Sequence, residues 1–265
     1  MSNQDKITSR DPWANLRSLT RARIALGRAG ASLPTDEVLR FGYAHAQARD
    51  AVHVPLDTGE LCRLLNEAGF ATLPVHSAAP DRSTYLLRPD LGRKLNSASI
   101  AALETFPDKR WDLIVMVGDG LSSVAVRKHA QPVLERLRAA LPSQWRFGPV
   151  VVANQARVAL GDPVGERLQA RVVAVLIGER PGLSSPDSLG IYLTYAPRVG
   201  RQDSERNCIS NVRPEGLGYD DAVRKTIWLV NESMRLGLTG VNLKDRSDTA
   251  ALTPHDPPPA LTSGK

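Results

Sequence analysis

Glu179 stands in the string Gly178-Glu179-Arg180-Pro181-Gly182, directly after the apolar run at residues 172–177. A carboxylate at a strand's carboxyl end lies where open α/β sheets take their ligands. There it can accept hydrogen bonds from amides or hydroxyls; the plainer reading is a surface turn with a solvated charge pair. Cys208 lies about thirty residues further on, in the short polar, β-prone string RNCISNV. A lone cysteine is often a small buried hydrophobe, and no histidine stands near it in sequence to make a Cys-His dyad. Residues 118–123 read GDGLSS. Glycines after a strand permit a tight turn whose free N–H groups can meet an anion. The string equally suits a plain strand-to-helix connection with Ser122 as N-cap. It lacks the lysine and spacing of a phosphate-binding loop, the dinucleotide glycine pattern and the Gly-x-Ser-x-Gly elbow. Val158, just after a second apolar run, attracts no attention by itself.

No self-sufficient catalytic set is visible. The five histidines (His45, His53, His76, His129 and His255) have no metal-ligand spacing, and no Cys-x-x-Cys or carboxylate cluster occurs. Such a chain fits a subunit that helps to build a pocket better than a complete enzyme.

The elements that would position these residues fall into four stretches. Residues 1–12 read as a loose arm. Residues 13–105 form a mostly helical N-terminal domain: a helical pattern from Trp13 to Ala51, with Thr35 capping a helix over 36–51 whose Leu39, Tyr43 and Ala46 share a face. A short helix over 57–69, a short strand over 84–87 and a helix ending at Leu103 follow. From 106 to 245 short apolar runs alternate with helical stretches. Strands are expected at 112–117, 148–153, 171–177 and, as an antiparallel or edge strand, 189–195. Helices are expected at 124–141, broken or restarted by Pro132, at 162–169, and at 219–236 with an amphipathic pattern. This alternation predicts an α/β fold with a doubly wound, mostly parallel, Rossmann-like sheet. Residues 246–265, rich in proline, read as a disordered tail.

The 265 residues carry 42% hydrophobic and 23% charged residues, ordinary for a soluble globular protein. No run approaches a membrane span, the start has no signal-peptide core, and two distant cysteines suit a reducing cytoplasm. A net charge of +6 admits a second reading, a nucleic-acid-binding basic protein. Its tightest cluster is Arg17, Arg21, Arg23 and Arg28; aromatic content of 5% and the absence of any RNA or DNA motif stand against it.

Four strings occurring together carry a more specific signal: TRARIALGRAG at 20–30, GDGLSS at 118–123, GERPGL at 178–183 and CISN at 208–211. From about Trp13 to Asp245 the chain resembles the small (light) subunit of ethanolamine ammonia-lyase, an adenosylcobalamin-dependent family. The resemblance implies a helical part followed by a doubly wound domain. It also implies a large catalytic TIM-barrel subunit as partner, within a hetero-oligomer of paired subunits, with no nucleic acid and no membrane involved. The family's cobalamin contacts fall on Val158, Glu179 and Cys208, with no catalytic residue and no metal ligand on this chain. No Asp-x-His-x-x-Gly string is present, in keeping with a cofactor that retains its own dimethylbenzimidazole as lower ligand (base-on). The implied reaction takes ethanolamine to acetaldehyde and ammonia by a radical route. The polar stretch before Trp13 is shorter than the targeting extension of members packaged in bacterial microcompartments. The expected location is therefore the cytoplasm, with a microcompartment as the alternative.

Overall fold

A computed structural model describes residues 8, 9 and 11–250 of the chain; His255 and most of the expected tail, like most of the expected N-terminal arm, lie outside the described residues. Six strands form one sheet in the order β1-β3-β2-β4-β5-β6. They are β1 (Thr72–His76), β2 (Leu113–Gly118), β3 (Phe147–Asn154), β4 (Val172–Gly178), β5 (Leu189–Tyr195) and β6 (Asn207–Val212). The first four in spatial order run parallel, while β5 pairs antiparallel with β4 and with β6. The mostly parallel α/β architecture expected from the sequence is therefore present.

β2, β3 and β4 are nearly continuous Val/Ile/Leu runs because both of their faces are covered. Side chains along a strand alternate between faces, and the core divides accordingly. Val115, Val117, Val150, Val152, Ala174 and Leu176 pack on one side, beneath α2 (Thr58–Glu67), α5 (Ser123–Ala140) and α7 (Tyr219–Leu236). Ile114, Met116, Val151, Val173 and Val175 pack on the other, beneath α4 (Ser97–Thr105) and α6 (Gly161–Leu168).

The helices that follow β2 and β3 thus leave to opposite faces. Their strand ends part at the carboxyl edge, which creates the crevice where such sheets bind ligands.

Several local expectations are corrected. The helical pattern from Trp13 to Ala51 is only partly realised: after a 3₁₀ turn at Ala14–Ser18, regular helix resumes at α1 (Thr35–His53). Ala25, Gly27 and Gly30 between them have positive φ, and bridges pair Ser9 with Arg28 and Ala29 with Ser32. Thr35 is the first helical residue rather than the cap, a position that Pro34 holds without a side-chain bond. Residues 84–87 belong to a helix, α3 (Arg82–Leu87), because the Asp81 carboxylate accepts from the Thr84 amide at 2.7 Å and its hydroxyl at 3.1 Å. β1 was not expected at all; it is short, contains Pro74 and lies at the sheet edge, where a missing N–H is tolerated. Pro132 does not break α5, because Val126, Ala130, Val133 and Leu137 clamp the helix to the core on both sides of it. Beyond Asp245, Ser247–Ala250 forms a helical turn, α8, in which Asp248 pairs with Arg224 and Lys225. No described helix is long and apolar enough to cross a membrane.

Candidate functional site

The ends of β2 and β3 are joined by Asp119. Its fully buried carboxylate accepts from the Ala156 amide at 2.8 Å, the Gln155 amide at 3.0 Å and the Arg82 guanidinium at 3.1 Å. Burial pushes this carboxyl up, against Arg82 and the two amides, which hold it down. Arg82 also donates to the Val52 carbonyl at 2.7 Å, so α1 and α3 are tied to the same point. Tyr85 donates to the Ala156 carbonyl at 2.9 Å, and its ring is flanked by the guanidinium groups of Arg82 at 4.8 Å and Arg157 at 4.3 Å. These contacts hold residues 155–158 in place, with Gln155 in the left-handed region at φ 54°.

The Gly118–Ser123 turn proves to be a connection. Ser122 caps α5 by accepting from the Ala125 amide at 3.2 Å and donates to the Pro186 carbonyl at 2.8 Å. The Leu121 and Ser122 amides are spent on the Gly178 and Asp119 carbonyls and cannot cradle an anion. Gly120 is required there: its φ is +55°, and a Cβ would come within 2.2 Å of the Gly178 carbonyl oxygen.

Two adjoining cavities open along this edge. The larger, about 550 Å³, is lined by Val158, Glu179, Arg180 and Ser210 among others. The smaller, about 350 Å³, is lined by Val158, Cys208, Arg93 and Asp203 among others. Arg157, Val158 and Tyr192 line both. Val158, Glu179 and Cys208, from three separated segments, therefore share one continuous surface. Glu179 is half-buried, and its Oε2 accepts from the Ser188 hydroxyl and from the Asn211 amide at 3.2 Å. Cys208 is exposed, not a buried hydrophobe, and its Sγ lies 3.2 Å from the Ser210 hydroxyl.

Tyr192 was missed in the sequence. It faces Cys208 across the β5–β6 ladder. Burial, together with Cys208 and Glu179 nearby, pushes its phenol up, so it remains an O–H donor at neutral pH. The signal was the alternation of LGIYLTY: Ile191 and Leu193 point into the core, so Tyr192 must point to the other face. Arg206, which precedes Cys208, does not act on the thiol. Its guanidinium forms a buried two-pronged pair with Asp162, both bonds 2.7 Å, and donates to Thr194 at 2.9 Å. Burial disfavours its charge, but the Asp162 bonds more than offset this and hold its pKa up.

A doubly wound α/β protein with an open, mixed polar and apolar cradle at its strand ends is the class that this fold and site define. Residues 10–244 match the family described as "Ethanolamine ammonia-lyase light chain (EutC)". The chain is similar to proteins called ethanolamine ammonia-lyase small subunit in several bacteria. The Pseudomonas aeruginosa protein is 53% identical over 249 residues, covering 92% of this chain and 91% of the relative. The Pseudomonas fluorescens protein is 50% identical over 269 aligned positions (96% and 98%). That of Xanthomonas campestris pv. campestris is 55% identical over 247 (92% and 91%). The chain belongs to the ethanolamine ammonia-lyase light-chain family.

Proposed function

We propose that this chain is the small subunit of an adenosylcobalamin-dependent ethanolamine ammonia-lyase. In this reading it encloses the cofactor together with a large catalytic subunit, in a cytoplasmic hetero-oligomer of paired subunits. The observation that carries the reading is the convergence of Val158, Glu179 and Cys208 on one surface at the sheet's carboxyl edge.

The residues present fit a corrin, whose faces are apolar and whose rim bears primary amides. Val158 and Ile177 offer apolar wall, and Glu179 offers an acceptor. Tyr192 and Arg157 offer donors, and the buried Nε of Arg157 has no hydrogen-bond partner among the described residues. Among the described residues no histidine lines either cavity, and the proposed cofactor is one that keeps its own lower base. When bound, the cofactor supplies a carbon radical by homolysis of its cobalt–carbon bond, and the protein supplies binding and orientation. This chain's share is to hold the rim through Glu179, to pack Val158 against an apolar face, and to close one side against water. Substrate binding and hydrogen abstraction are assigned to the large subunit.

No observation among the described residues favours residence in a microcompartment. Nor does any observation favour the nucleic-acid reading: Arg17 is paired with Glu37 at 2.7 Å, and Arg23 lies 5.8 Å over the Phe41 ring.

The test is co-expression with a large subunit, co-purification, and a visible-range titration with adenosylcobalamin. The expected result is a stable complex whose cofactor spectrum shifts on binding. Separate purification of the chains, with no spectral change, contradicts the proposal.

A further inference from the structure

Glu179 does not point into its cavity freely. It is the first residue past the last β4–β5 pair, Gly178 with Leu189, so it faces Ser188 one step beyond that pair. Its own amide donates to the Ser188 carbonyl at 2.9 Å, which extends the ladder to this step. Residues opposed in this way carry side chains within reach of each other. The buried Ser188 hydroxyl donates to Glu179 Oε2.

A second donor to the same oxygen comes from β6, where the Asn211 amide lies 3.2 Å away and Asn211 itself has φ 60°. Oε1 accepts no hydrogen bond among the described residues. Gly190 leaves the space for this arrangement, since a Cβ there would meet Glu179 Oε1 at 3.0 Å and Cγ at 3.2 Å. The loop that delivers Ser188 is itself anchored. Ser122 holds the Pro186 carbonyl at 2.8 Å, and Lys128 holds the Asp187 carboxylate at 2.7 Å.

We infer that Ser188 is a positioning residue for cofactor binding: it fixes Oε2 of Glu179 so that Oε1 is presented, already oriented, to an amide N–H of the ligand. The inference rests on the cobalamin reading above. An acceptor held in advance loses less side-chain freedom on binding, and a hydrogen bond to a charged group is stronger than a neutral one. Without the Ser188 hydroxyl, the carboxylate keeps only the Asn211 amide and can rotate over Gly190.

The experiment is a double-mutant cycle on the co-purified complex of both subunits, titrated with cyanocobalamin, which binds without turnover. Ser188→Ala is expected to raise the apparent Kd roughly 5- to 10-fold, the size of one ordinary hydrogen bond. In a Glu179→Ala background the same change is expected to cost less than about 2-fold, because Ser188 then has no carboxylate to hold. Ser188→Thr, which retains the hydroxyl, is expected to bind within about 2-fold of the parent. An equal loss from Ser188→Ala in both backgrounds marks a merely structural role and overturns the inference. So does unchanged affinity of Ser188→Ala while Glu179→Ala weakens binding, although the cofactor reading then survives. If Glu179→Ala itself leaves affinity unchanged, the role of Glu179 in that reading falls, and the inference with it. Should the Ser188→Ala complex not assemble, weak binding by an assembled Ser188→Thr complex overturns the inference just as directly.

Discussion

Asp119 carries more structural weight than its place in a glycine-rich turn suggests. Two backbone amides and one guanidinium converge on its carboxylate, and the segment they fix ends in Arg157 and Val158, which line both cavities. Replacing Asp119 with alanine leaves the largely buried Arg82 side chain without its counter-charge, and breaking a buried pair in this way typically costs about 3–5 kcal/mol. Urea denaturation of Asp119→Ala should show a loss of that size, and a loss under about 1 kcal/mol would contradict the role assigned here. At this scale the site was only partly legible. Glu179 was visible because a charged residue follows an uninterrupted apolar strand, and Cys208 because it is one of two cysteines. Asp119 looked like a turn residue, since its partners are backbone amides thirty-six and thirty-seven positions away. Ser188 gave no signal either: its partner is set by the β4–β5 register, which a sequence does not print.

The elements that read correctly are those whose pattern is set by burial alone. β2, β3 and β4 are apolar throughout because both faces are covered, and α7 keeps its amphipathic stripe from Tyr219 to Leu236. The misreadings fall where a local bond or an edge position decides. The Asp81 cap turns residues 82–87 into helix, and left-handed residues between 25 and 30 stop a helical pattern.

Packing of α5 on α7 supplies an element-scale prediction. His129 is buried between them. Its Nδ1 lies 2.7 Å from the Tyr219 hydroxyl and its Nε2 4.0 Å from Asp187, with Lys128 and Glu215 also acting on it. Burial holds its pKa below the ordinary 6.5, against the pull of Asp187. The unfolded chain therefore binds this proton first as pH falls, and stability declines from about pH 6.5 until the folded pKa is passed. The slope from one such group is at most about 1.4 kcal/mol per pH unit. Denaturation midpoints at pH 7.5 and 5.5 check this. The stability advantage of the parent over His129→Gln should shrink at the lower pH; an advantage that grows or holds constant would contradict it.

Over the whole molecule, the two sheet faces are treated differently. One is covered from β3 to β6 by α2, α5 and α7. On the other, α4 and α6 cover the parallel strands, whereas Tyr192 and Cys208 on the antiparallel extension are left facing the cavities. The antiparallel pair β5–β6 thus extends the core on one side and forms the wall of a cradle on the other. In the subunit role proposed for this chain, such a wall would hold one side of a large ligand and leave the remainder to a partner. The most direct measurement compares adenosylcobalamin affinity of the two-subunit complex, by visible titration, for the parent chain and for Glu179→Ala. The account predicts weaker binding by roughly 10-fold or more at an unchanged melting temperature, the scale of losing a charge-assisted hydrogen bond. Equal affinity in the two complexes would contradict it.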